Sequence, residues 1–258
     1  MADILDKFIA AAKQNVASGY YEKGEKYGGK KASLLEQINS HQFTLICEIK
    51  HASPAGEYSF GNIDVKKAAV DFRNNGADAI SVVVEPQIFK GRLDNVPVVK
   101  NASGLPVLFK DFVISEEQIE AAQRVGADAV LLVVKVADRL KLDLDGLIAE
   151  AHARKLEVLL EAYDTDEMKR AAQTKADILG INNRDLTTLK VDLNRTKRIM
   201  EEAGKVKQPV ISESGIKSGE EVRFVRQFGV KGVLVGTSIW KAKNLGEQIR
   251  DLKKGALQ

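Results

Sequence analysis

The chain has 258 residues, of which 44% are hydrophobic, and its formal net charge is +3. This length and apolar content can bury a sizeable core, in either one α/β barrel or two ordinary domains. Basic and acidic residues are interspersed along the chain, which excludes the clustered positive charge of a nucleic-acid-binding surface. The single cysteine, Cys47, excludes an internal disulfide, and its apolar neighbours indicate a buried thiol.

Residues 1–43 predict an N-terminal helical extension. Ile4, Phe8 and Ile9 share one helical face, a second short apolar helix is expected near Leu34, and a polar, Gly-rich loop lies between them. This segment has too little apolar material for a core of its own, so we expect one domain, 1–258. No apolar segment has the length of a signal-peptide core or a membrane span, which predicts a cytoplasmic protein that does not enter a membrane.

From residue 44 the chain alternates between short apolar runs and segments with helical periodicity. The runs scarcely alternate polar and apolar residues, so they predict a parallel sheet covered on both faces. Eight strand–helix units fit the roughly 250-residue size of a closed (β/α)8 barrel, or TIM barrel. A doubly wound open sheet is the alternative, but no Gly-rich phosphate fingerprint follows the first run. The predicted strands are 44–49, 79–84, 107–109, 129–134, 157–160, 178–181, 209–211 and 232–235.

A short repeat leads into several of these strands. It reads Gly76-Ala-Asp78, Gly126-Ala-Asp128 and Lys175-Ala-Asp177. The regular return of this pattern supports repeated strand–helix units.

Polar side chains end nearly every predicted strand, at the end where barrel enzymes place their chemistry. Lys110 is the clearest case, because a lysine at the end of a buried strand is costly unless it has a partner or a function. For Lys110 alone, pairing with a nearby acid is the simpler explanation. Strand alternation, however, places many such groups on one side. We expect one barrel mouth to gather Glu48, Lys50, Lys110, Glu161, Asn182, Arg184 and Glu213.

Two loops near the C-terminus indicate a phosphate site. Ser214-Gly215 follows the seventh strand and Gly236-Thr237-Ser238 follows the eighth. These residues offer backbone N–H groups and hydroxyls with little side-chain bulk, and barrels often bind phosphate between these two loops. Ordinary turns with an N-cap serine are the alternative.

Several motifs occur together and in order along the chain. Those quoted are Glu48-Ile-Lys50 with Ala52-Ser-Pro54, Pro106-Val-Leu-Phe-Lys-Asp-Phe112, Gly126-Ala-Asp-Ala-Val-Leu-Leu132, Leu160-Glu161, Gly180-Ile-Asn-Asn-Arg-Asp-Leu186 and Glu213-Ser-Gly-Ile216. With them the chain resembles the indole-3-glycerol phosphate synthase family over nearly its whole length, including the N-terminal extension.

The resemblance implies an enzyme of tryptophan biosynthesis that uses no cofactor or metal. It would close the ring of 1-(2-carboxyphenylamino)-1-deoxyribulose 5-phosphate, with loss of CO2 and water, to give indole-3-glycerol phosphate. It implies that Lys110 is the general acid for ring closure, that Glu161 handles the proton during dehydration, and that Glu48 and Lys50 flank the reacting centre. The division of roles between Lys50 and Lys110 stays open.

The resemblance also implies which residues bind the substrate. Asn182, Arg184 and Glu213 lie around it, and Phe89, Phe112 and Leu131 frame its anthranilate ring. The phosphate-side positions are Ser53, Ser214, Gly215, Gly236 and Thr237. A cationic mouth suits a substrate with a carboxylate and a phosphate. Nearby carboxylates and partial burial can tune a lysine as a proton donor.

Four positions depart from the family pattern. Val83-Val84-Glu85 occurs where the family commonly has Leu-Thr-Glu. His51 replaces the usual Lys or Arg, and Trp240 replaces a smaller aliphatic residue. The segment Ala55-Gly-Glu-Tyr58 lacks a lysine that is often present there. None of the departures removes a catalytic residue, so they bear on affinity and on closure of the first loop.

Two other functions remain open at this point. Phosphoribosylanthranilate isomerase is a related barrel, but its chemistry needs no lysine at the third strand. A barrel that keeps the phosphate site as a scaffold would not need Lys110, Glu161 and Glu48 together. For partners we expect a small phosphorylated substrate, no nucleic acid, and a monomer or weak homo-oligomer.

Overall fold

The computed structural model describes residues 3–53, 56, 59 and 62–257. Eight parallel strands form a closed barrel in which each strand pairs with the next and the last pairs with the first. The predicted (β/α)8 barrel is confirmed, and the open doubly wound sheet is excluded. The strands are β1 Thr44–Ile49, β2 Ala79–Val83, β3 Val107–Lys110, β4 Ala129–Val133, β5 Glu157–Ala162, β6 Ile178–Asn182, β7 Val210–Glu213 and β8 Gly232–Val235.

Helices follow every strand, and aspartate or serine side chains begin many of them. Asp64, Asp143, Asp164 and Ser218 each accept the backbone N–H three residues later, which satisfies one of the free donors of a first helical turn. The helices are α1 Ile4–Ala17, α2 Leu34–Ser40, α3 Val65–Asn74, α4 Asn95–Ser103, α5 Glu116–Arg124, α6 Val134–Leu140, α7 Leu144–Ala153, α8 Thr165–Ala171, α9 Asn194–Glu202, α10 Gly219–Arg226, α11 Thr237–Lys241 and α12 Leu245–Leu257.

Four strands run further than the apolar runs indicated. Lys110, Glu161, Asn182 and Glu213 lie beyond the predicted runs, yet they are strand residues: Lys110 pairs with Val83, Glu161 with Val133, and Asn182 with Glu213. The prediction stopped where the side chains turn polar. The hydrogen bonds between neighbouring strands join backbone groups, so the strands continue past that point. The side chains are therefore held on the rigid barrel and not on mobile loops.

The barrel interior forms a floor beneath the mouth. Ile46, Leu108, Leu159 and Ile211 face inward and are fully buried, in a cluster separate from the one between sheet and helices. Each lies two residues before a polar group on the same side of its strand: Glu48, Lys110, Glu161 and Glu213. The polar groups therefore stand directly above an apolar layer.

The N-terminal extension contacts both ends of the barrel. In α1, Phe8 is buried against Phe112 above the carboxyl ends of the strands. The start of α2 lies at the opposite end, where Leu34 N and Leu35 N donate to Glu157 at the beginning of β5. A 3-10 turn, Tyr20–Glu22, lies between the two helices. The predicted N-terminal helix is present.

Candidate active site

A cavity of about 430 Å³ opens at the carboxyl ends of the strands. Every residue predicted for the site lines it except Glu213, which is fully buried. The lining residues from the prediction are Glu48, Lys50, Ser53, Phe89, Lys110, Phe112, Leu131, Glu161, Asn182, Arg184, Ser214, Gly215, Gly236 and Thr237. The structure therefore brings the predicted set to one mouth, while the role of each residue remains a prediction.

Two lysines and two carboxylates alternate across the centre of the cavity. Lys50 Nζ lies 2.7 Å from Glu48 Oε1, and Lys110 Nζ lies 3.3 Å from Glu48 Oε2. Lys110 Nζ also donates to Glu213 Oε2 at 2.9 Å. Buried charges are stable only when they are paired in this way. Lys110 thus sits between two carboxylates and points into the cavity.

These pairs set opposite protonation states for neighbouring groups. Burial by itself would raise the pKa of Glu48, but Lys50 and Lys110 lower that pKa to about 2. Burial likewise disfavours the charge on Lys110, but Glu213, Glu48 and Glu161 raise its pKa well above the usual lysine value. The carboxylates therefore hold the proton on Lys110 at rest and do not make it easier to lose.

Glu161 differs from Glu48 although both carboxyls line the same cavity. Burial, assisted by the charge of Glu213, raises the pKa of Glu161 to about 8. Asn182 Nδ2 donates to Glu161 Oε1 at 2.9 Å, and Asn182 Oδ1 accepts the backbone N–H of Arg184. Carboxyls with separated pKa values typically divide acid and base roles.

An aromatic wall bounds one side of the cavity. The rings of Phe8 and Phe112 stack with centroids 4.7 Å apart, and Phe89 lies 5.7 Å from Phe8. Phe89, Phe112 and Leu131 were predicted here, whereas Phe8 was assigned only to an apolar helix face. Nothing local in the sequence indicates that α1 contacts the mouth of the barrel.

The loops after β7 and β8 form the opposite side. Ser214 and Gly215 both have left-handed backbone conformations, with φ of 67° and 85°. A Cβ atom on Gly215 would lie 2.3 Å from a methyl carbon of Val191, so this turn requires glycine. Ser238 Oγ donates to the carbonyl of Ile216 at 2.9 Å and ties the two loops together.

Two glycines make room for the central carboxylates. A Cβ atom on Gly180 would lie 2.4 Å from Glu213 Oε1, and one on Gly236 would lie 2.5 Å from Glu48 Oε1. Gly180 was quoted in a motif but not predicted as a site residue. Its function in the site is the space that it leaves for Glu213.

Sequence reasoning also missed two acids, Glu85 and Asp111, that line the cavity. Glu85 accepts the backbone N–H groups of Ile88 and Phe89. Asp111 accepts from Tyr21 Oη at 2.6 Å, and burial raises its pKa to about 7. The signal was present for Asp111, because it follows Lys110 directly, but its partner lies in the distant N-terminal extension.

The positions that depart from the family pattern have separate environments. His51 is buried, and its ring nitrogen lies 3.1 Å from Asn95 Nδ2. The Val84 carbonyl accepts from Tyr20 Oη, and Trp240 Nε1 donates to the Glu48 carbonyl. Of the segment 55–58, only Gly56 is described. Residues 55, 57 and 58, where the missing lysine was noted, lie outside the described residues, as does Pro54.

The family model for indole-3-glycerol phosphate synthase matches residues 5–252. The chain belongs to the indole-3-glycerol phosphate synthase family. An indole-3-glycerol phosphate synthase from Bacillus cereus is 36% identical over 256 residues, which cover 98% of this chain and 99% of the relative. The one from Bacillus thuringiensis has the same identity and coverage. The family membership that the motifs predicted is thereby confirmed.

Solved structures of lower similarity show the fold alone. A thiamine phosphate pyrophosphorylase from Pyrococcus furiosus superposes with a TM-score of 0.64 at 18% identity, covering 87% of this chain and 98% of that one. Within the described part of the chain, no helix is long and apolar enough to cross a membrane. The same residues contain no group of three or more His, Cys, Asp or Glu side chains placed to hold a metal ion.

Proposed function

We propose that this chain converts 1-(2-carboxyphenylamino)-1-deoxyribulose 5-phosphate to indole-3-glycerol phosphate, CO2 and water, as a carboxy-lyase of tryptophan biosynthesis. The observation that carries the residue assignment is the position of Lys110 between Glu48 and Glu213, at the centre of a cavity with an aromatic wall on one side. Across from that wall lie the glycine- and hydroxyl-bearing loops.

In the first step Lys110 acts as the general acid. The aromatic carbon that carries the carboxylate attacks the ketone carbon, and the carbonyl electron pair moves to oxygen. This oxygen takes the proton from Lys110 Nζ. A forming alkoxide is far more basic than an amine, so the transfer is favourable even though Glu213 and Glu48 raise the pKa of Lys110. The ionised Glu48 keeps Lys50 and Lys110 oriented toward the reacting atoms.

Decarboxylation and dehydration follow on the closed ring. The bond to the carboxylate breaks, CO2 leaves, and its electron pair restores the aromatic ring. The hydroxyl formed in the first step then leaves as water, and a proton is lost as the indole double bond forms. Glu161 handles the proton in this step. Its pKa of about 8 lies near neutral pH, where a group exchanges protons most effectively.

The remaining residues bind the substrate in one orientation. The aromatic wall of Phe89, Phe112 and Leu131 receives the anthranilate ring. Ser53 and the loops at Ser214-Gly215 and Gly236-Thr237 receive the phosphate through N–H groups and hydroxyls. Arg184 and Lys50 contribute the positive charge that suits the carboxylate. We further propose that the chain acts in the cytoplasm as a monomer or weak homo-oligomer.

The direct test is turnover of the carboxyphenylamino-deoxyribulose phosphate, followed by the fluorescence of the indole product. We expect indole-3-glycerol phosphate to form without added metal or cofactor. A folded protein that makes no indole-3-glycerol phosphate from this substrate, but isomerises phosphoribosylanthranilate, would support the related isomerase instead. A folded protein that binds the substrate without converting it would support a scaffold.

A further inference from the structure

The only tryptophan of the chain, Trp240, contacts the strand that carries Glu48. It lies on α11, directly after the loop at Gly236-Thr237, and is half-buried. Its indole Nε1–H donates to the backbone carbonyl of Glu48 at 2.8 Å. The ring packs near Phe72, with centroids 5.9 Å apart. A side chain outside the cavity therefore holds the backbone of a residue inside it.

The ladder between β1 and β8 explains why that carbonyl needs a donor. Thr44 N donates to Lys231 on the β8 side, whereas the carbonyl of Leu45 accepts from Asp78 on the β2 side. Successive residues of a parallel strand direct their backbone N–H and C=O groups to opposite neighbouring strands, so those of Glu48 point toward β8. The pairing of these strands ends at Cys47 opposite Val235. The indole N–H thus takes the place of the strand partner that β8 no longer provides.

The side chain of Glu48 is restrained from the same direction. Gly236 lies so close that a Cβ atom there would be 2.5 Å from Glu48 Oε1. Lys50 and Lys110 bind the two carboxylate oxygens. The residues after β8 therefore contact Glu48 twice, at its carboxylate through Gly236 and at its carbonyl through Trp240.

We propose that Trp240 is a positioning residue for Glu48. By holding the Glu48 carbonyl, the indole N–H fixes the end of β1 and, with it, the carboxylate that orients Lys50 and Lys110. This inference rests on the proposed role of Glu48 in the reaction. Trp240 does not line the cavity, so it acts on the reaction through Glu48.

The first test is Trp240→Phe, which keeps an aromatic ring and removes the donor. We expect kcat to fall on the order of tenfold, less than the roughly 10²-fold that a misplacement of 1 Å can cost. We expect KM to change less than about twofold, because the aromatic wall and phosphate loops are untouched. The matched control is Tyr20→Phe, which removes an aromatic donor from the carbonyl at the end of β2. It should lower Tm to a similar extent and leave kcat near the wild-type value.

A second variant separates the hydrogen bond from ring packing. Because the chain has one tryptophan, incorporation of a tryptophan analogue changes only this side chain. A benzothiophene analogue has the shape of indole with sulfur in place of the N–H, and we expect it to reproduce the loss of kcat seen in Trp240→Phe. An azaindole analogue keeps the N–H and should restore turnover.

Three results would overturn the inference. Wild-type kcat in Trp240→Phe and in the benzothiophene analogue, with or without a lower Tm, would show that the hydrogen bond is only structural. Equal losses of kcat in Trp240→Phe and Tyr20→Phe would point to general loosening of the barrel. Glu48→Gln tests the proposed role of Glu48 separately. Full turnover in that variant would refute this role and, with it, the positioning role of Trp240.

Discussion

The two ends of the barrel use the same kind of ion pair for different purposes. At the amino ends of the strands, Lys100 Nζ lies 2.6 Å from Asp128, and both side chains are almost wholly buried. Asp128 also accepts the backbone N–H groups of Val107 and Ala32. At the carboxyl ends, Lys110 pairs with Glu213, whose Oε1 accepts no hydrogen bond from the described residues. The first carboxylate is saturated, and the second is not.

The repeated Ala-Asp motif makes this contrast general. Asp78, Asp128 and Asp177 each accept a backbone N–H group near the start of the preceding strand, from Leu45, Val107 and Val158. These hydrogen bonds tie each strand to the residues that lead into the next one, so the carboxylates stabilise the fold. At the mouth, Glu161 lines the cavity and, among the described residues, accepts a side-chain hydrogen bond only at Oε1, from Asn182, so its other oxygen can meet a substrate. An oxygen that faces the cavity and accepts no hydrogen bond therefore distinguishes Glu161 from the aspartates of the repeat.

The largest effect is expected for the lysine at the mouth. Lys110→Met should raise the barrier of the first step by about 3–5 kcal/mol, because both the acid and its charge are lost. In single-turnover experiments no ring-closed intermediate should form. Lys50→Met is the matched control, since it removes the other lysine on Glu48. It should still permit some ring closure and release CO2 faster than it forms indole-3-glycerol phosphate.

The assignment of the two lysines can be reversed by the same experiment. A ring-closed intermediate trapped in Lys110→Met, but absent in Lys50→Met, would make Lys50 the acid. Equal and modest losses in both variants would mean that the lysines supply only charge.

Glu161→Gln tests the other unsaturated acid. We expect turnover to fall by about 10²–10⁴-fold with a nearly unchanged KM, since the side chain keeps its size but cannot exchange a proton. If the carboxylate form accepts the proton, kcat/KM of the wild type should rise with pH through about 8, and this limb should vanish in the variant. Near-normal turnover with a much weaker KM would show that Glu161 only binds.

Lys100→Met should lower stability and leave turnover unchanged, the opposite of what we expect for Lys110→Met and Glu161→Gln. Removing one partner of a buried pair leaves Asp128 without its counter-charge, at a cost of about 3 kcal/mol in the free energy of unfolding. Turnover measured well below the lowered Tm should stay at the wild-type value. Urea denaturation and kcat provide the two readouts. A loss of kcat without a loss of stability would contradict the division between the two ends.

The barrel itself was predictable because its signals are local. Each strand shows as an apolar run, and alternation within a run placed Glu48 above Ile46 and Lys110 above Leu108. What was missed depends on contacts between distant segments. Phe8 meets Phe112 only after α1 folds over the mouth, and Trp240 lies 192 positions from Glu48. The family pattern marked Trp240 as unusual but gave no partner for it.

The resting state of Lys110 was also beyond the sequence. Nearby carboxylates were expected to tune it, and the structure gives the direction of the effect. Glu213 and Glu48 both touch its ammonium group, so its pKa rises. A list of residues at one mouth does not determine which of them pair, and the pairing decides the sign.

The smallest effect concerns Asp111, a buried acid that is saturated by the N-terminal extension yet lies at the mouth. Tyr21 Oη and the N–H of Phe112 occupy its two oxygens. Burial raises its pKa from 3.8 to about 7, with Glu85 as the nearby charge that adds to the effect. The unfolded chain therefore releases this proton first. The stabilisation that Asp111 contributes to the folded state is fully present below about pH 4. It declines as the pH rises toward 7, and above that pH it is lost and the free energy of unfolding no longer changes through this group.

Asp111→Asn keeps the size of the side chain and removes the titration. We expect the wild type to lose more than about 1.4 kcal/mol of unfolding free energy relative to the variant between pH 5 and pH 8, the equivalent of one pKa unit. Urea denaturation at both values measures this difference. Asp166→Asn, on the exposed surface of α8, is the control and should follow the wild-type curve. Parallel curves for all three proteins would show that folding does not raise the pKa of Asp111.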